Sequence, residues 1–542
     1  MERHRSGLTS TSKKTAGLTL VPAGFLAIFF LWPVVQLIIR GISDGGFGAF
    51  ADTLSSPTIR SAAWFTLWQA IASTALTLVV AAPLTAVLAN TTFRGRRLVN
   101  ALVTVPFVLP TVVVAGAFLA TSERVGLTSG PFALRRSVFS IIIAHAFFNV
   151  AVVVRTVGSF WSQLSRDDEH AARVLGQNAL TTFCQITLRR LRLSILAAAS
   201  LVFFFTFTSF GVVLILGGAR QRTIETEIFR FAISRTDFAT AAVLSVVQLL
   251  AVVLLVLINL KLRGRLVSDR LGQRLQPFQN GRSALAGWLI IVVTLGFLAI
   301  PVAALIEQSF RTGDGFGFGN YLALADRPPF LTVPPGRAIL NSIAFAFVAS
   351  TIATVMGGWA SFGIVYGSRT SSRLLDTAYL LPLGTSAVTL GFGVLITFDE
   401  SWYDIRQSWI IIPLTQALIG VPFVTRAVVP VLRSIDPKLR EAAASMGASP
   451  QQVRRDIDLP IARRALAIGA GFAFAISLGE FGATSFVGRR PEFMTVPLAI
   501  SRLLSQPGET IQGQAMALSV ILMVLTTAVL MAVDRADGSG VL

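Results

Sequence analysis

The chain has 542 residues, of which 53% are hydrophobic and only 13% charged, and its formal net charge is +19. Soluble domains carry about 25% charged residues, so a chain of this length with half that share holds more apolar surface than soluble cores can hide. The bilayer is the expected solvent. The basic residues lie between apolar runs of membrane-spanning length, so the charge excess is read as cytoplasmic loop bias and not as a nucleic-acid surface. The single Cys184 excludes an internal disulfide and a cysteine-built metal site, and His4, His145 and His170 are too scattered for a histidine site. No metal and no resident cofactor are expected.

A helix needs roughly 20 mostly apolar residues to cross the hydrocarbon core. Twelve such segments follow in chain order, at 18–39, 61–90, 98–120, 138–160, 193–217, 239–260, 284–306, 338–366, 374–397, 408–432, 465–488 and 512–533. The expected fold class is all-α integral membrane with twelve transmembrane helices. The first segment is too long for a signal peptide and no small-residue cleavage site follows it. With the N-terminus inside, the inner segments carry 30 of the 46 Lys and Arg against 12 acids, and the outer segments carry 16 against 15. That bias satisfies the positive-inside rule, and an even helix count places both termini in the cytoplasm. Pro33, Pro83, Pro106, Pro110, Pro301 and Pro382 fall inside spans; neighbouring helices can satisfy the backbone groups they free, and broken helices can line a substrate path.

The sequence repeats at a fixed offset, the strongest organisational signal it holds. Glu441-Ala442-Ala443 is followed by three residues, Gly447, nine residues and Ile457-Asp458-Leu459-Pro460. His170-Ala171-Ala172 is followed by three residues, Gly176, nine residues and Ile186-Thr187-Leu188-Arg189. The offset of 271 also joins Arg155 to Arg426 and Phe210-Gly211 to Phe481-Gly482, and twice 271 is the chain length. The expected organisation is two homologous six-helix halves in parallel topology, 1–260 and 284–542, with a cytoplasmic linker at 261–283. The motif loops, at about 161–192 and 433–464, then both lie inside. Alanines at 442 and 443 favour helix and leave a low surface that another protein can approach. Gly447 supplies a turn and Ser449-Pro450 starts the next helix, giving a helix–turn–helix lever with basic ends at Arg454, Arg455, Arg463 and Arg464.

This pattern resembles the signature loop of permease subunits of bacterial binding-protein-dependent ABC importers. The resemblance implies that Glu441, Ala442, Ala443, Gly447, Ile457, Leu459 and Pro460 form a coupling loop that docks in a cleft of a cytoplasmic ATPase subunit. Ala171, Ala172, Gly176, Ile186 and Leu188 would form the other. The first copy departs from the pattern, with His170 for the acid and Arg189 for the proline; Glu169 lies one residue before the acid's place, and whether Glu169 or His170 stands in is open. Partners implied are two ATPase copies carrying ATP and Mg, an extracytoplasmic solute-binding protein and the bacterial inner membrane. No Lys in the chain follows a Gly, so no Walker A loop is present to cradle ATP phosphates, and no catalytic residues are expected.

Fused two-half permeases include thiamine and ferric-iron types. Ala144-His145-Ala146-Phe147-Phe148-Asn149, Ser209-Phe210 through Leu216-Gly217-Gly218, and Thr223-Ile224-Glu225 resemble the thiamine type, while Ser477 through Gly482 is shared more widely. Glu480 lies 16 residues beyond Arg464, about 24 Å along a helix, which places a carboxylate in the outer hydrocarbon, where acids mark a pathway or a pair. Its counterpart is Ser209. His145 pairs with Gln416 by the offset, and these two with Asn149 either bond between helices or face the path. Trp64 and Trp68 serve as interface anchors or as cation–π partners. A ferric-iron permease, a twelve-helix secondary transporter and a membrane enzyme are the competing classes; the last lacks a credible side-chain cluster.

Overall fold

The structure, a computed structural model, describes residues 18–43, 46–218, 220–264, 276–277, 282–313, 315–398, 405–488 and 490–537. Most of the expected linker at 261–283 lies outside the described residues. In chain order the main helices are α1 (Leu18–Ser43), α2 (Pro57–Asn90), α3 (Arg96–Val108), α4 (Thr111–Val125), α5 (Val138–Ser162), α6 (Asp167–Val174), α7 (Ala179–Phe207), α8 (Ile224–Phe229) and α9 (Phe238–Gly264). The second repeat follows with α10 (Arg282–Phe310), α11 (Pro335–Tyr366), α12 (Arg369–Ala378), α13 (Ala387–Thr397), α14 (Ile411–Ser434), α15 (Pro437–Ser445), α16 (Pro450–Gly479) and α17 (Glu509–Asp537). Among the described residues, ten helices are long and apolar enough to cross a membrane. Leu250, Leu254 and Leu257 on α9, and Leu285, Leu289 and Val292 on α10, are exposed, as a lipid-facing surface requires.

Two of the twelve expected spans are broken, and at corresponding places. The segment 98–120 is the pair α3–α4, bent by 101°. Pro110 drives Leu109 out of the helical region, to ψ 139, because the ring clashes with a helical residue before it. The segment 374–397 is divided among α12, a 3₁₀ turn at Pro382–Gly384 and α13, whose N-terminus Ser386 caps through bonds from the Val388 and Thr389 N–H groups. Both broken elements nevertheless run the length of a neighbouring helix. Phe93, just before α3, packs on Trp288 near the start of α10 with ring centroids 5.3 Å apart, and α4 ends with Arg124 ion-paired to Glu307. Trp288 and Glu307 are about 28 Å apart along α10. Tyr379, after α12, donates to the Pro22 carbonyl at 2.9 Å, whereas Gly393 of α13 lies against Pro33 and Leu37, further along α1.

The first helix of each repeat packs partly on the other repeat; the far end of α1 also stays with its own, Gly41 lying against the Ala242 backbone of α9. Leu26 and Phe30 of α1 join a core with α11 and α14, and Ile291, Leu298 and Leu305 of α10 join the core of the first repeat. Within the second repeat, small residues set the spacing. A Cβ at Gly357 or Gly469 would press on Val424 at 2.7 or 2.8 Å, so α11 and α16 close on α14 as small-residue interfaces do in lipid.

Candidate functional site

The two motif loops fold alike, residue for residue. Gly176 and Gly447 have φ of +86° and +89°, a left-handed conformation that costs an L side chain roughly 1–2 kcal/mol. Gln177 N–H donates to the Ala172 carbonyl and Ala448 N–H to that of Ala443, both at 3.0 Å, ending each short helix with the bond a glycine cap makes. The next helix starts on a side-chain cap in both: Asn178 accepts from Thr181 N–H, and Ser449 from Gln452 N–H with Pro450 in the first turn. A π-helical turn follows at Phe183–Thr187 and at Arg454–Asp458, again 271 residues apart.

The loop surface is apolar at its tip. Leu175 and Met446, also an offset pair, are 85% and 83% exposed. Glu441, Ala442 and Gly447 are exposed beside the tip, as are His170, Ala171 and Gly176, while Ala443 and Ala172 turn inward. Ile457 and Ile186 are half-buried; Leu459, Pro460 and Leu188 are exposed. In the first loop His170 occupies the exposed place of Glu441, whereas Glu169 is buried and its carboxylate accepts from the Thr187 hydroxyl at 2.5 Å.

That inward bond has a counterpart which sequence reasoning missed. Residues 169 and 187 correspond by the offset to Arg440 and Asp458. Arg440 Nε donates to Asp458 Oδ1 at 2.9 Å, and the Asp458 carboxylate, fully buried, also accepts from the Tyr366 hydroxyl at the end of α11. The Arg440 guanidinium donates to the Leu432 carbonyl at 2.9 Å and lies 5.2 Å from the centre of the Tyr366 ring. Each loop therefore carries a clamp between the same two positions, ionic in the second and neutral-to-acid in the first. Extending the offset to every charged loop residue is the signal that finds it.

At the opposite end of α7 and α16 the repeats meet. Phe210 and Phe481 stack with centroids 5.3 Å apart and planes inclined by 22°. A Cβ at Gly211 would lie 2.5 Å from the Thr111 hydroxyl and 3.3 Å from Phe481, so glycine permits this approach. Beside the stack, His145 ring nitrogens lie 2.8 Å from Ser209 Oγ and 3.1 Å from Ser73 Oγ. Asn149 donates to the His145 carbonyl at 2.9 Å, and its side-chain oxygen is buried without a hydrogen-bond partner. In the second repeat Glu480 turns back on its own chain: it accepts from Ala483 N–H at 2.7 Å, from Thr484 N–H at 2.9 Å and from the Thr484 hydroxyl, to which Gln416 also donates at 3.4 Å. The offset partners thus sit together within each repeat, His145 with Ser209 and Gln416 with Glu480 through Thr484.

A cavity of about 930 Å³ lies between the repeats. Arg426 and Arg464 line it towards the loop side, Phe107, Phe205 and Phe423 line its wall, and Pro110, Thr111 and Gly479 bring it to the Phe210–Phe481 stack. None of Glu480, Ser209, His145, Gln416 or Asn149 lines this cavity. Trp64 is two-thirds exposed on the outer surface of α2, and Trp68 packs edge-on against Phe65.

The bundle is built from two copies of one design, each with a capped loop at one end, the class of a duplicated multi-span membrane protein. Residues 80–267 and 349–536 each match the family described as "Binding-protein-dependent transport system inner membrane component", and the chain belongs to that family with the domain present twice. It is a multi-pass inner-membrane permease. Along its whole length the chain is similar to the protein named "Thiamine transport system permease protein ThiP" of Brucella abortus (strain 2308), at 29% identity over 541 residues and 95% of both chains. The proteins of the same name from Salmonella typhimurium (25% over 494 residues, 88% of both chains) and Escherichia coli K12 (24% over 565 residues, 98% of this chain and 97% of that one) are similar as well.

Proposed function

We propose that this chain is the translocating subunit of an ATP-driven importer for thiamine or its phosphates. The observation that carries the proposal is the pair of superposable loops with exposed apolar tips, joined to end-to-end similarity with thiamine permeases. Each loop would seat in a cytoplasmic ATPase subunit, with ATP and Mg held there, and a solute-binding protein would deliver thiamine to the other face. Twelve crossings, six per repeat, with both termini inside, are supported by the way α3–α4 and α12–α13 run along α10 and α1 despite their breaks. Counting both broken elements as crossings, four precede the first loop and ten the second, which would put the two loops on the side of the N-terminus; if α12–α13 did not cross, five crossings would separate the loops and put them on opposite sides.

A cavity lined by Arg426 and Arg464 on the loop side and ending beside the phenylalanine stack suits a resting, inward-facing state. ATPase closure would push both loops, shut the cavity and part the stack. Uptake of labelled thiamine, beside labelled ferric iron, in cells with and without the chain tests the substrate. Loss of thiamine uptake alone is expected; loss of iron uptake alone would overturn the substrate and leave the permease architecture standing.

A further inference from the structure

Two further buried acids, on α8, serve neither the loops nor the cavity; Glu227 is ion-paired with Arg222 and Arg230 at 3.6 and 3.2 Å, whereas neutral side chains surround the other, Glu225. It opens α8, at the end of the bundle away from the coupling loops: Ile224 N–H donates to Thr66 Oγ1 at 2.9 Å near the start of α2, and Arg40 at the end of α1 lies over the Phe238 ring. Glu225 is fully buried. Gln248 of α9 donates to one carboxylate oxygen at 2.8 Å, and the Ser386 hydroxyl donates to the other at 2.7 Å. Gln248 belongs to the same repeat and Ser386 to the opposite one, so the carboxylate bridges the interface between repeats.

Its surroundings are aromatic and belong to the closing seam. Phe229, one turn along α8, has its ring 5.4 Å from Phe210 and 5.6 Å from Phe486. Ala387, next to Ser386, touches Gly482 beside Phe481, and α13 packs through Gly391 on the Ala483 backbone. The second repeat builds the same corner without an acid. There Thr495 precedes the helix as Thr223 does, Val496 N–H donates to Ser342 Oγ as Ile224 does to Thr66, and the residue in the place of Glu225 is Pro497. The architecture therefore does not require a carboxylate at this position, and an acid at this depth is costly unless it has work to do.

Resting on the thiamine reading above, we propose that Glu225 is the anionic group the path presents to a cationic, ring-bearing solute, masked by Gln248 and Ser386 while the seam is closed. When the repeats part at the far face, Ser386 leaves with α13, and the carboxylate keeps one donor and faces the gap. An organic cation replaces the lost donor, with the faces of Phe210, Phe229 and Phe481 beside it for its rings.

The test compares wild type, E225Q and E225A in membranes carrying the full complex of permease, ATPase and binding protein. Glutamine keeps the shape of the node and removes its charge; it turns one acceptor into an amide donor, for which the Ser386 hydroxyl or the unpartnered Gln248 side-chain oxygen is an acceptor. Thiamine uptake at low concentration is expected to fall about tenfold or more in E225Q, the order expected when one partner of a desolvated charge pair is lost, with the complex still assembled. Uptake by E225Q equal to a thiamine-importing wild type overturns the proposal alone, whereas a wild type that imports no thiamine overturns the substrate reading beneath it. A second measurement does not depend on how E225Q folds. In a Cys184→Ser background, Glu225→Cys should react with a membrane-impermeant thiol reagent from the outer face only when ATP and vanadate trap the complex, and thiamine should slow that reaction. Reactivity unchanged by trapping overturns the proposal.

Discussion

Replacing Arg440 by glutamate sets two carboxylates against each other inside the second coupling loop, because Asp458 is fully buried and 2.9 Å from Arg440 Nε. Breaking a buried ion pair by removing one partner costs about 3–5 kcal/mol. Arg440 is 21% exposed, and the Tyr366 hydroxyl remains on Asp458, so a loss nearer 2–3 kcal/mol is the reasonable expectation once solvent screening is allowed for. At about 1.4 kcal/mol per decade, that shifts the loop's order–disorder equilibrium by about one and a half to two decades. Uptake should fall by most of its value and ATPase co-purification with it. The first repeat supplies its own rescue, because its clamp is Glu169 with Thr187 at the same two positions. The double variant R440E/D458T installs that pair in the second loop and should recover much of the lost uptake. A double-mutant cycle on uptake and on retained ATPase measures the coupling. A double variant as impaired as R440E, or an R440E that transports normally, would refute the claim that the two positions act as one clamp.

Other outcomes follow from the same geometry. Glu441→Ala and Gly447→Pro should both reduce transport while the chain remains in the membrane; proline cannot adopt the φ of +89° found at Gly447, and wild-type uptake in both variants would remove the coupling assignment. Leu175→Asp and Met446→Asp place charge on the exposed loop tips and should release the ATPase on purification without lowering the thermal stability of the permease; retention of the ATPase in both counts against docking there. Glu480→Gln replaces an acceptor of three hydrogen bonds, and a buried donor left unmatched costs about 1–3 kcal/mol. It should therefore lower the Tm of the purified chain while the KM for thiamine stays near wild type, and an altered KM at unchanged Tm would return Glu480 to the path.

Much of the plan could be read from the residues. The offset of 271 links landmarks that then fold identically, down to the caps at Asn178 and Ser449, because local hydrogen-bonding chemistry sets those turns. Hydropathy found the apolar segments but could not register that Leu109-Pro110 and the 381–386 stretch break two of them, since a bent span and a straight one have the same composition. Nor could it reveal that α1 and α10 each pack across to the other repeat, which depends on which helix fills which groove. Glu169 illustrates the limit within the site. One helical position is a rotation of about 100°, enough to turn Glu169 into the loop interior and leave His170 outside, and the sequence alone left that choice open. Glu480 sits at the far end of α16, as its distance from Arg464 suggested, but its carboxylate closes on Ala483 and Thr484. Glu225 was visible only as part of a motif, since burial between repeats is a tertiary property.

The central claim is that ATP hydrolysis, delivered through two loops, moves thiamine through this chain. The most direct measurement is accumulation of labelled thiamine in proteoliposomes containing the permease, its ATPase and its binding protein, with and without ATP and with an imposed proton gradient. Accumulation that requires ATP, ignores the proton gradient and disappears in R440E is the predicted result. Accumulation driven by the proton gradient in the absence of ATP would contradict it and make the chain a secondary transporter.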